Sequence, residues 1–110
     1  MAKRFELKSS SDGQFYFTLR AENNEKILTS EMYKAKQGAQ NGIASVQSNV
    51  MNDSRYDRRT SKAGKPYFVL KAANGEVIGT SEEYSSVAAM EDGIAAVKQA
   101  APMAAIDDRT

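Results

Sequence analysis

Apolar and polar residues alternate along three short stretches near the start of the chain, the period-two pattern of a half-buried strand. Phe5-Glu6-Leu7 is the first. Phe15, Phe17 and Leu19 line one face of the second, which runs to Arg20. The third covers Glu25 to Thr29, with Ile27 facing inward alongside Phe17 and Leu19. Asp12-Gly13 and Asn23-Asn24 separate them, and both are turn dipeptides because Gly and Asn tolerate positive φ. Past Tyr33 the period changes. Ala39, Ile43, Val46 and Val50 recur at steps of four, three and four, which is one face of a helix.

The whole pattern is then written a second time. A step of 51 residues carries Gly13 onto Gly64, Tyr16-Phe17 onto Tyr67-Phe68 and Gly42-Ile43-Ala44 onto Gly93-Ile94-Ala95. Between Arg4 and Val46 the register never slips and eighteen positions are identical, so the chain is a duplication. Met90, Ile94, Val97 and Ala101 form the second helical stripe, with Ser85 or Ser86 as its N-cap; Lys34 and Ala35 offer the first helix none. Tyr56-Asp57-Arg58-Arg59-Thr60 is at once the exit from helix one and the first strand of repeat two. A similar run, Ile106-Asp107-Asp108-Arg109-Thr110, follows the helix-stopping Pro102. The expectation is seven strands and two helices. They form an α+β domain of two tandem β-β-β-α(-β) repeats, about 3–53 and 54–110, around one pseudo-twofold axis. Its single shared sheet is largely antiparallel, with both helices on one face.

Composition narrows the function. One repeat buries too little surface to stand alone, so the two copies share a core, and a monomer with internal pseudo-twofold symmetry is expected. The chain of 110 residues has no His and no Cys. That removes the usual general base, thiolate nucleophiles and most transition-metal sites. No Gly-rich phosphate loop is present, so neither a cofactor nor a metal is expected, and the chain does not read as an enzyme. The start, Met1 to Leu7, lacks the apolar run of a signal peptide, and no segment has the length of a membrane span. A cytoplasmic protein with no membrane partner is the expectation.

Gly-Gln-Phe-Tyr-Phe (Gly13 to Phe17) and Gly-Lys-Pro-Tyr-Phe (Gly64 to Phe68) open the two copies. The Asn-Gly-Glu-Val-Ile turn (Asn74 to Ile78), the Ser-Glu-x-Tyr element and Gly-Ile-x-x-Val follow in order. With this ordered set seen twice, the chain resembles the YegP-like family of small bacterial proteins of unknown function. The resemblance implies one sheet built from both repeats, with the C-terminal strand of each unit exchanged into the other, and dimers among single-repeat relatives. It implies no activity.

Two regions are candidate sites. Alternation sends Arg4, Glu6, Lys8, Tyr16, Thr18, Arg20 and Lys26 to the sheet face away from the helices. Arg55, Asp57, Arg59, Tyr67, Val69 and Lys71 join them from repeat two. Seven cations against two carboxylates make this face strongly basic on a chain whose net charge is +1. Tyrosines among Lys and Arg on an open sheet are what a binder of single-stranded nucleic acid, or of another anionic partner, presents. Tyr16, Arg20, Tyr67, Lys71, Arg4 and Arg55 are its binding residues. An ordinary solvated sheet face has the same composition. The second candidate is a small-ligand pocket at the strand-to-helix junctions, from Ser30, Glu31, Tyr33 and their copies Ser81, Glu82, Tyr84. Here too a bland account competes, in which Ser caps, Glu complements the helix end and Tyr packs. A purely structural protein is the remaining alternative.

Overall fold

A computed structural model describes residues 3–110; Met1 and Ala2, part of the start considered above as a possible signal, lie outside the described residues. The strands are β1 (Arg4–Ser9), β2 (Phe15–Arg20), β3 (Lys26–Ser30), β4 (Tyr56–Thr60), β5 (Pro66–Lys71), β6 (Val77–Thr80) and β7 (Ala105–Asp108). Helix α1 (Lys36–Asn49) follows β3, and α2 (Val87–Ala100) follows β6. The strands form one seven-stranded sheet in the order β4-β5-β6-β3-β2-β1-β7. Every neighbouring pair is antiparallel except β1 and β7, which run parallel. The expected α+β architecture is therefore the observed one.

The repeats meet at β3 and β6, where Thr29 faces Thr80 and Ser30 faces Gly79. The helices cross this seam. Each contacts strands of both repeats, α1 touching β1, β2 and β6 and α2 touching β5, β3 and β2. One core results. It takes Phe5, Leu7, Phe17 and Leu19 from repeat one and Phe68, Leu70, Ile94 and Val97 from repeat two.

Strand three departs from simple alternation. Ile27 and Leu28 are adjacent and both belong to the hydrophobic core, whereas neighbours in a regular strand point to opposite faces. A bulge explains it: Leu28 pairs with Leu19, Lys26 with Arg20, and Ile27 is the extra residue that turns to the core. The same irregularity recurs in β6 at Ile78. The turn before it is also shared, since Asn24 takes φ 72° where Gly75 takes φ 87°, with matching backbone bonds from Ala21 and Ala72.

The helix starts differ as the sequence predicts. Ser86 Oγ accepts from Ala89 N at 3.1 Å, while Ala35 makes no side-chain cap. The mid-helix glycines Gly42 and Gly93 each make room for a tyrosine ring. The Tyr33 ring wedges between α1 and β2, stacked on Phe17 at 6.4 Å and 12°, and a methyl group on Gly42 would overlap its hydroxyl. Tyr84, Phe68 and Gly93 repeat the arrangement at 6.3 Å and 10°.

Candidate functional site

The sheet face opposite the helices is organised by one row of paired residues. Asp107, Glu6, Thr18, Thr29, Thr80, Val69 and Asp57 lie side by side from one edge to the other. Small β-branched residues fill the middle, and a carboxylate stands towards each end. Long cationic side chains then fold over the carboxylates. The centre of this face is consequently not open as alternation alone suggests: Glu6, Thr18 and Val69 are buried.

Glu6 is the hub. Its carboxylate receives Arg4 at 2.8 Å, Arg20 at 2.9 Å, Lys8 at 3.3 Å and Arg109 at 3.3 Å, with its side chain only 2% exposed. Desolvation on burial pushes its pKa up, but hydrogen bonds from Arg20, Arg4 and Lys8 outweigh it and bring the group down to about 2. Asp107, across from Glu6 on β7, takes Arg109 at 2.9 Å, so four cations meet two carboxylates and the excess of positive charge is held in fixed positions. Tyr16 lies directly across from Lys8 in the β1–β2 pairing and is half-buried.

The second end is thinner. Asp57 receives only Arg59 at 2.9 Å and Lys71 at 3.2 Å, and its side chain stays 38% exposed. Arg55 was expected here and is elsewhere. It ends a short 3-10 turn before β4 and donates from Nε to Asn49 Oδ1 at the end of α1, 2.9 Å away. Its copy Arg4 is already the first residue of β1 and reaches Glu6. The six expected binding residues therefore split. Arg4, Arg20 and Tyr16 gather at the Glu6 end and Tyr67 and Lys71 at the other. Tyr16 and Tyr67 precede Thr18 and Val69 by two residues on strands that run in opposite directions, so they stand roughly 20 Å apart. They are two separate stacking points.

Lys8 and Arg109 belong to the Glu6 cluster and were not among the expected binding residues. Lys8 carried a readable signal, the alternation Arg4-Glu6-Lys8 on one strand face. Arg109 carried none in its own local pattern; the strand exchange implied by the family resemblance is what brings β7 of repeat two beside β1 of repeat one.

The Ser-Glu-x-Tyr junctions are occupied by the fold itself. Ser30 Oγ accepts from Phe17 N and donates to the Glu31 carbonyl, both at 2.8 Å. Ser81 does the same with Phe68 N at 2.9 Å and the Glu82 carbonyl at 2.8 Å. The backbone of Tyr33 pairs with Phe15, and Tyr84 N bonds Pro66 O. Glu31 and Glu82 are exposed, and Glu82 lies 3.9 Å from Lys26. Burial, with Glu31 and Glu76 nearby, raises the Tyr33 phenol; burial, with Glu82 and Glu25 nearby, raises that of Tyr84. Of the six junction residues only Tyr84 lines the cavity of about 230 Å³ between α2 and β3, too small for an ordinary ligand pocket. Among the described residues no group of acidic side chains is placed to hold a metal ion, and no helix is long and apolar enough to cross a membrane.

Comparison with known proteins fits this architecture. The family model described as "Domain of unknown function (DUF1508)" matches twice, over residues 10–57 and 61–108. The UPF0339 protein YegP of Escherichia coli K12 is 49% identical over 110 residues, all of both chains. The chain belongs to this family. A UPF0339 protein of Acinetobacter baylyi is 51% identical, over 100% of this chain and 99% of its own. Two solution NMR structures of family members superpose on the fold. That of E. coli YegP has a TM-score of 0.94 at 49% identity and covers 100% of this chain and 95% of its own. That of the Shewanella oneidensis UPF0339 protein has a TM-score of 0.91 at 50% identity, over 98% and 92%. The YegP-like resemblance is thus established, and with it membership of a family of unknown function.

Proposed function

We propose that the chain is a small non-catalytic binding module that holds single-stranded nucleic acid against the Glu6 end of its outer sheet face. The observation that carries this reading is the convergence of Arg4, Lys8, Arg20 and Arg109 on the single carboxylate of Glu6, beside Tyr16. Glu6, with Asp107 paired to Arg109, fixes the cations in place and neutralises only part of their charge. Phosphates neutralise the remainder and release counterions, while the Tyr16 ring offers a face to one base. The Asp57 end, with fewer cations, contributes a weaker second contact through Tyr67 and Lys71.

The test is an amide NMR titration of the labelled protein with mixed single-stranded RNA and DNA at low and high salt. Saturable shifts on β1 and β2 that fade as salt rises, and affinity that drops about tenfold in Tyr16→Ala, are the expected result; one stacked base is worth about 1–3 kcal/mol. Absence of shifts at low salt, or affinity unchanged in Tyr16→Ala, overturns the reading.

A further inference from the structure

The two ends of the sheet are not alike. β1 and β4 occupy equivalent places, related by the 51-residue step, yet β1 has β7 beyond it and β4 pairs with β5 alone among the described residues. The cause lies in the chain path. The strand that leaves α1 is itself β4, whereas the strand that leaves α2 is added outside β1. One strand at this end does the work of two at the other, and a position beside β4 stays empty.

The filled edge shows what the empty one lacks. Arg109 N donates to Leu7 O at 2.8 Å, so Leu7 turns its backbone groups outward; the counterpart of Leu7 is Arg58. By the same alternation Arg58 and Thr60 direct both N–H and C=O away from β5, and Tyr56 its C=O, the Tyr56 N–H being taken by the Asp53 carbonyl. β7 also brings side chains. Arg109, paired with Asp107 at 2.9 Å, is the fourth cation at Glu6, 3.3 Å away, and Asp108 meets Lys36 at the start of α1 at 2.6 Å. At the other end Asp57 stands in the place of Glu6 with two cations only, because Arg55 has turned to Asn49 and no strand delivers a counterpart of Arg109. The place of Lys36 is taken by Val87, an apolar side chain 62% exposed.

We propose that the free edge of β4 takes an extended segment of another protein, running parallel to β4, with an arginine or lysine two residues beyond the position across from Asp57, as Arg109 stands to Glu6, and an apolar residue facing Val87. Main-chain bonds to the Tyr56 carbonyl and to Arg58 and Thr60 hold the segment, and the two side-chain requirements select it. The inference concerns the sheet edge and is independent of the reading given for the sheet face.

The test uses the full chain, labelled for amide NMR, and a synthetic peptide of residues 103–110 carrying Asp108→Val. That peptide keeps the register of β7 and replaces the residue that would face Val87. Saturable shifts at Tyr56, Arg58 and Thr60 are expected. Binding should weaken about fivefold when the protein carries Asp57→Asn or the peptide carries Arg109→Glu, the worth of one partly exposed ion pair. No saturable shift at millimolar peptide overturns the proposal. So do shifts confined to Phe5 and Leu7, which mean exchange into the filled edge, and so does concentration-dependent self-association through β4 without peptide. Binding indifferent to both charge changes overturns it as well.

Discussion

Leu28 fills the space that Gly79 leaves. The two residues hold equivalent places in the repeats, and a Cβ on Gly79 would stand 2.9 Å from Leu28 Cγ and 3.0 Å from the Thr29 carbonyl oxygen. One large side chain at the seam thus requires a missing one across from it, and the pseudo-twofold is broken at its own axis. Gly79→Ala is expected to destabilise by about 1–3 kcal/mol, the usual cost of overpacking. In a Leu28→Ala background the same change should cost distinctly less, because the side chain it strikes has been cut back. Urea unfolding of the four proteins of this cycle measures the coupling, and additivity would show that the contact is not the cause.

A second coupling joins each junction tyrosine to its helix. Gly→Ala within a helix ordinarily stabilises by up to about 1 kcal/mol. Gly93→Ala is expected to do the opposite, since the new methyl group overlaps the Tyr84 hydroxyl. Tyr84→Phe removes the oxygen and should return part of the loss. Thermal unfolding of the single and double variants decides it, and a stabilising Gly93→Ala would rule the wedge out.

Glu6 makes acid stability legible. Its carboxyl is depressed from 4.5 to about 2 in the folded protein. A depressed carboxylate stabilises the fold above its unfolded pKa, and that contribution is lost as pH falls from about 4.5 towards 2. Full linkage over such a shift approaches about 3 kcal/mol, less whatever solvent around the guanidinium groups screens. Glu6→Gln should therefore lower stability at pH 6 and flatten the pH dependence between 5 and 2. A Glu6→Gln curve parallel to that of the parent would contradict the hub assignment.

Ser30 and Ser81 are expected to matter for folding and not for binding. Each Oγ satisfies a buried strand N–H, so Ser30→Ala or Ser81→Ala leaves a donor unpaired at a cost of about 1–3 kcal/mol. The affinity of the sheet face for nucleic acid should be unchanged, as judged by the same NMR titration. A variant of normal stability that loses a ligand would restore the junctions as a site.

The duplication, the strands and both helical stripes were readable because each rests on local periodicity. The outer face was only half readable. Alternation placed Glu6 correctly beside Arg4 and Arg20, but its burial depends on side chains from three strands closing over it, one of them β7, whose position is a long-range fact. Arg55 misled because a strand pattern was extended one residue too far, into the 3-10 turn. Ile27 was placed inward by alternation and is inward by virtue of a bulge, so the right answer had the wrong cause. The pattern predicts strand three over Glu25 to Thr29, and it spans Lys26–Ser30.

Because α1 and α2 each pack on strands of both repeats, the two copies share one hydrophobic interior. Opening one half strips the cover from the other, so the slowest-exchanging amides of both copies should be released together, in a single event. Two genetic halves have become one thermodynamic unit.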